Sequence, residues 1–272
     1  MSQAPSPSNA PARIAKHLLR IQHQHFFTTL DDWLTLSVNA FLRDDYAYLA
    51  ILKKYGPRTA PMGQQDHPAD HFARALGEWM RAMQDDPADY LGRIYEEQAV
   101  ANSYAGQFFT PESLTELMAQ MTMPDQLPDT AVVTDPACGS GRMLIAGIRR
   151  NRFATFMGTD TDLTCVHMTA LNCLVRNANT TVIHGNSLSL EAWGGFHVRR
   201  TPFGGELHRL TKEQAARLIQ LPFAAQPETT TSALTPAPAP TVQEMAPEAK
   251  AALDDVAKSF AMDKRGQGEF GF

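Results

Sequence analysis

From Ala131 the chain runs Ala131-Val-Val-Thr-Asp-Pro-Ala-Cys-Gly-Ser-Gly141 and continues Arg142-Met-Leu-Ile-Ala-Gly-Ile-Arg-Arg150. The first five residues predict a short buried strand, the glycines a tight turn, and Arg142 to about Arg150 a helix. Gly139 and Gly141 let the backbone approach a ligand with no Cβ in the way. A turn between a strand and a helix lies at the carboxyl end of the strand, where open α/β sheets form their ligand crevices. The helix start offers unpaired N–H groups to an anionic group. Asp135 places a carboxylate at the strand end, able to accept from a ligand amine or a water.

The same alternation continues downstream. Phe153 to Thr159 predicts a second strand, Leu163 to Arg176 a second helix, and Thr180 to His184 a third strand. This βαβαβ order is the start of a parallel, doubly wound sheet. Phe196-His-Val-Arg199 is a candidate fourth strand, and Thr211 to Gln220 a short helix. The second strand ends in Gly158-Thr-Asp160, about 20 residues past the glycine turn, where an acid accepts from both hydroxyls of a ribose. The third ends in Gly185-Asn-Ser187, and Asn186 can accept from an adenine amino group and donate to a ring nitrogen. A dinucleotide enzyme is disfavoured, because Leu144 occupies the third glycine position of G-x-G-x-x-G.

Upstream the pattern is helical from Ile14 to about Met121. Asp31 and Asp32 open one segment, with Trp33, Leu34, Leu36, Val38, Phe41 and Leu42 near helical spacing, stopped at Gly56-Pro57. Helices are also predicted over about 69–84, from Pro87 past Ile94, and from Thr110-Pro111 to near Met121. His67 and His71 are four apart with Pro68 between them, and read as a loop or a helix start, not as metal ligands. The expected organisation is a disordered N-terminus at 1–12, a helical domain at 13–105 and a cofactor-binding domain at 106–220. A Pro/Ala/Thr-rich linker at 221–247 and a short helix with a tail at 248–272 complete it.

The 272 residues carry 24 Lys+Arg against 29 Asp+Glu, a net charge of −5. The excess is uneven, since residues 131–220 hold 10 basic against 6 acidic side chains. A polyanion would meet that segment first. Hydrophobic residues make up 43%, enough for a packed core. No apolar run approaches the roughly 20 residues that span a bilayer, and the N-terminus lacks the apolar stretch of a signal peptide. A soluble cytoplasmic protein with no membrane contact is the expectation. Cys138, Cys165 and Cys173 form no C-x-x-C pair, so neither a disulfide framework nor a structural zinc site is expected.

Asp135-Pro-Ala-Cys-Gly-Ser-Gly141 resembles the S-adenosylmethionine loop of adenine-specific (N6) DNA methyltransferases, and most closely the modification subunit of type I restriction–modification systems. Ala88-Asp-Tyr-Leu-Gly-Arg-Ile-Tyr-Glu96 and Gly106-Gln-Phe-Phe-Thr-Pro111 are similar to that family's methionine-binding approach, in the family's order. The resemblance covers roughly residues 85–190. It implies an incomplete Rossmann-like methyltransferase core preceded by a helical domain, with S-adenosylmethionine as cofactor. Gln107, Phe109, Thr110, Asp135, Ala137, Gly139, Ser140, Gly141, Asp160 and Asn186 are the implied cofactor residues. Thr110 would bond the methionine carboxylate and Asp160 the ribose. The implied partners are DNA and a methylase or other restriction–modification subunit.

One family element is degenerate. The catalytic Asn/Asp-Pro-Pro-Phe/Tyr tetrad, whose acceptors bind the target amino group and whose ring stacks on the flipped base, does not occur. The nearest remnant is Arg200-Thr-Pro-Phe203, with Arg200, Pro202 and Phe203 in the matching places. Arginine offers donors only and stays charged. Asn186 stands where many relatives carry Asp. About 30 residues, roughly one βαβ unit, lie between Asn186 and the linker. Two functions therefore compete: a DNA adenine methyltransferase completed by another subunit, and a catalytically inactive antirestriction or regulatory protein.

Overall fold

The computed structural model describes residues 9–21, 25–59, 61, 66–101, 108–124, 127 and 131–220. Helix α1 (Ala10–Leu19) starts inside the segment expected to be disordered. Pro11 pre-sets its first turn, and Ala10, Ile14 and Leu18 are buried. Helix α2 (Phe26–Leu42) begins five residues before Asp31 and stops at Arg43, which adopts a left-handed φ of 58°. Asp44 then caps a separate helix, α3 (Asp45–Leu52), by accepting from the Ala47 N–H. The single segment expected between Asp31 and Gly56 is thus two helices. Helix α4 (Pro68–Asp85) follows the expected boundaries closely. His67 is its N-cap, the ring accepting from the Ala69 N–H at 3.1 Å. Helices α5 (Tyr90–Ala101) and α6 (Glu112–Thr122) complete the upstream layer.

The rest alternates as expected through its first three strands: β1 (Val132–Asp135), α7 (Arg142–Arg150), β2 (Thr155–Asp160), α8 (Leu163–Val175) and β3 (Asn179–Asn186). β1 pairs with β2 and β2 with β3, both in parallel. The continuation is different. The expected fourth strand is β4 (Glu191–Thr201), and it runs antiparallel to β3. A strand not foreseen, β5 (Gly204–Leu210), folds back on it as a hairpin, and α9 (Lys212–Leu218) follows behind a Thr211/Gln214 capping box. The sheet is therefore mixed, in the order β1-β2-β3-β4-β5.

Strand alternation sorts the two faces. Phe156, Val182, Phe196 and Val198 point into one apolar core shared with α7, α8 and the upstream helices, including the buried Trp33 and Trp79. Met157, Ile183 and Ala192 point the other way, onto Ala215 and Ile219 of α9. The strand order follows the chain order, so it never reverses, and β1 is an edge strand. No helix among the described residues is long and apolar enough to cross a membrane.

Candidate functional site

Strands β1 and β2 deliver Asp135 and Asp160 to the same carboxyl edge of the sheet. Between them the glycine turn folds under clear local rules. The Cys138 N–H bonds the Thr159 carbonyl at 3.0 Å, tying the turn to β2. Gly139 then takes φ 54° and Gly141 φ 90°, left-handed values that disfavour side chains. A Cβ at Gly139 would lie 2.7 Å from the Phe109 ring. The Gly139 N–H donates to Asp160 Oδ2 at 2.9 Å, and the Asp162 N–H to Asp160 Oδ1 at 2.9 Å. A carboxylate has about four acceptor sites, so Asp160 retains capacity for a ligand.

These groups line a cavity of about 500 Å³, together with Phe109, Thr110, Ala137 and Met143. That volume falls in the roughly 300–1,000 Å³ range of small-molecule sites. The lining is acidic at its floor and aromatic at its flank. Burial pushes the Asp135 carboxyl above the usual range; the Ala137 N–H opposes this and the Asp160 charge adds to it. A cationic or hydroxyl-bearing ligand would relieve that pair. Burial also pushes the Cys138 thiol well up, so Cys138 serves packing and not reactivity.

The turn rests on a buried charge network. Asp89, 1% exposed, accepts from Arg142 Nε at 2.7 Å, Ser140 Oγ at 2.6 Å, Asn172 Nδ2 at 2.9 Å and the Gly92 N–H at 3.0 Å. Arg142 Nη2 donates to Glu96 Oε2 at 2.6 Å, and Nη1 to the Thr110 carbonyl at 3.3 Å. Glu96 also accepts the Phe109 N–H at 2.8 Å. Burial works against the Arg142 cation, but Glu96 and Asp89 prevail and its pKa is raised. One arginine thus fixes α5, the glycine turn and the Phe109-Thr110 segment to each other. Asp89, Glu96, Arg142 and Asn172 were absent from the expected site. Asp89 immediately precedes α5 and Glu96 lies within it, and no motif in the sequence singles them out.

The N-6 DNA methylase family profile matches residues 86–221, half of the 272-residue chain. The chain belongs to the N-6 DNA methylase family. It is 27% identical over 123 residues to the type I restriction enzyme MpnII methylase subunit of Mycoplasma pneumoniae, covering 42% of this chain and 22% of that protein. It is 31% identical over 103 residues to the MjaIX methylase subunit of Methanocaldococcus jannaschii, covering 33% of this chain and 18% of that protein. The matched part thus spans about a fifth of either relative.

This N-6 DNA methylase-family chain brings most of the expected cofactor residues together. Phe109, Thr110, Asp135, Ala137, Gly139, Ser140 and Asp160 line one cavity. Gly141 lies behind it, against Thr169. The Ser140 hydroxyl is turned away, onto Asp89. Gln107 falls outside the described residues. Asn186 is not in the cavity lining; its Oδ1 accepts from the Leu188 and Ser189 N–H groups and shapes its own loop. Arg200, near the end of β4, and Pro202 and Phe203, in the β4–β5 turn, lie at the amino edge of the parallel strands, opposite the cavity. Arg200 Nη1 donates to the Arg152 carbonyl ahead of β2, and Phe203 is 100% exposed.

Proposed function

We propose that this chain is an N6-adenine DNA methyltransferase-like protein with an incomplete Rossmann-like core, which holds S-adenosylmethionine or its demethylated product and acts by binding. The observation that carries this reading is the convergence of Asp135, Asp160 and Thr110 on one cavity beside the Gly139 turn. The donor set suits the group. Asp160 would accept from the ribose hydroxyls, Thr110 would donate to the methionine carboxylate, and Asp135 would face the amine. The two carboxylates favour a sulfonium cation, and the bare Gly139 lets the Phe109 ring close against the turn. The cofactor, when bound, supplies the methyl group.

The proposed role is binding to DNA or to a methylase partner, in the manner of an antirestriction or regulatory protein. Methyl transfer needs an acceptor aimed at the target amino group. The only remnant of such a motif in the sequence carries Arg200 and lies at the far edge of the sheet. Loss of one preorganised partner typically costs about 2.7–4 kcal/mol of barrier.

Calorimetric titration with S-adenosylmethionine and S-adenosylhomocysteine tests cofactor binding. Asp160→Ala should weaken it by roughly 1–3 kcal/mol through lost charge-assisted bonds. No saturable heat with either ligand at millimolar concentration would defeat the reading. Incubation with tritiated cofactor and unmethylated DNA tests the rest. Incorporation well above that of an Asp135→Ala control would restore an active enzyme.

A further inference from the structure

Helix α1 packs against α4, and each brings one histidine to the contact: His17 in the last turn of α1 and His71 near the start of α4. The two ring centroids are 6.1 Å apart and the rings are tilted by 33°. His71 is 1% exposed. In each ring Nδ1 is buried and has no hydrogen-bond partner among the described residues. Buried polar atoms are normally satisfied, so two orphaned nitrogens on neighbouring rings point to a ligand that both share.

The other nitrogen of His71 is engaged. Nε2 lies 2.6 Å from Asp66 Oδ1. An ionised carboxylate only accepts, so Nε2 carries the hydrogen and the neutral ring keeps its lone pair on Nδ1. Metal-binding histidines are held in this way: the far nitrogen donates to a carboxylate, which fixes the tautomer and raises the basicity of the near one. His67 has no nitrogen to offer. Its Nδ1 accepts from the Ala69 N–H at 3.1 Å, and its Nε2 lies 3.3 Å from the Gly56 carbonyl oxygen.

We propose that His17 and His71 bind one copper(I) ion through their Nδ1 atoms and so clamp α1 to α4. Three observations select this ion. No group of three or more His, Cys, Asp or Glu side chains that could hold a metal occurs among the described residues, so two protein ligands must suffice. Zinc asks for a tetrahedron, and calcium or magnesium for a shell of oxygens; monovalent copper is stable with two nitrogens in a line. An ion about 2.0 Å from each nitrogen and in line with both sets the ring centroids about 6.3 Å apart, against the observed 6.1 Å. The one carboxylate, Asp66, balances one positive charge. The pair is therefore not His67 with His71, neighbours in the sequence, but two histidines that only the packing of α1 on α4 brings together. The site lies among the upstream helices and does not depend on cofactor binding in the first cavity.

Copper(I), kept reduced by ascorbate under nitrogen, is titrated into the full chain as its coloured bicinchoninate complex. The wild type should withdraw one equivalent, and His17→Ala and His71→Ala none. The Asp66 side chain is 76% exposed, so Asp66→Asn keeps the fold, as circular dichroism verifies. That variant should bind about 10–100-fold more weakly, because the hydrogen bond that orients His71 loses its charge. X-ray absorption of the loaded chain should show two nitrogen neighbours at about 2.0 Å and no sulfur. Failure of the wild type to withdraw copper overturns the proposal. So does sulfur in the spectrum, which would move the ion to a methionine or to Cys138, Cys165 or Cys173. An affinity unchanged in both His17→Ala and Asp66→Asn overturns it as well.

Discussion

Arg142→Ala is the sharpest test of how the glycine turn is held. Arg142 is 7% exposed and forms ion pairs with Asp89 at 2.7 Å and Glu96 at 2.6 Å. Removing it strands Asp89 with a full charge at 1% exposure, although Ser140, Asn172 and Gly92 still donate to it. Glu96 is 23% exposed and can rehydrate, so it adds little. Truncating one partner of a buried pair typically costs about 3–5 kcal/mol. For a protein of this size that corresponds to a drop in Tm of about 6–20 °C. Urea unfolding of wild type, Arg142→Ala and Arg142→Lys measures the effect directly. Lys keeps the charge but not the planar fork, so it should fall between the other two. A loss below about 1 kcal/mol for Arg142→Ala would mean that the network is not formed, because no buried charge of this kind is abandoned so cheaply.

Three other outcomes follow from the geometry. Gly139→Ala should both destabilise the chain and block the first cavity, since its Cβ would meet Phe109 at 2.7 Å with φ at 54°; cofactor titration and thermal melting read the two effects. Asp135→Asn should raise stability at neutral pH: its folded pKa lies above 3.8, so the native state gives up stability as pH rises through that window. Denaturation curves should converge for the two proteins below pH 3.8, and a constant offset would refute burial as the cause. Arg200→Ala and Phe203→Ala should leave cofactor affinity unchanged, and a loss in either would contradict their place at the amino edge.

The parallel half of the fold was legible because each strand and helix carries its own period and each boundary its own punctuation. Gly139, Gly141, Asp160 and Gly185 mark strand ends in the sequence, and the structure brings all four to the carboxyl edge of the parallel strands. The antiparallel half was not legible. β4 is long and carries His197, Arg199 and Arg200 among its apolar residues, so it shows little alternation, and Pro202-Phe203 gives no strong hairpin signal. Residue type alone linked Arg200-Thr-Pro-Phe203 to a catalytic tetrad; only strand direction places it at the other edge. The Asp89–Arg142 network is hidden for a different reason. Its partners are 53 residues apart, and neither position looks buried, since both types are usually exposed. The loop bonds of Asn186 are not visible in the sequence either, although a side chain of this type readily accepts from its own loop.

The sheet is not equally firm across its width. β3, β4 and β5 are joined by four residues (187–190) and two residues (202–203), whereas β1 and β2 are separated by 19 (136–154). β1 is also four residues long and paired on one side only, with Val132 half exposed. Its amides should therefore exchange with solvent soonest and those of β3 latest, as local opening favours short edge elements. Asp135, the last residue of β1, stands on that strand, so one wall of the first cavity is built on the part of the sheet expected to exchange first.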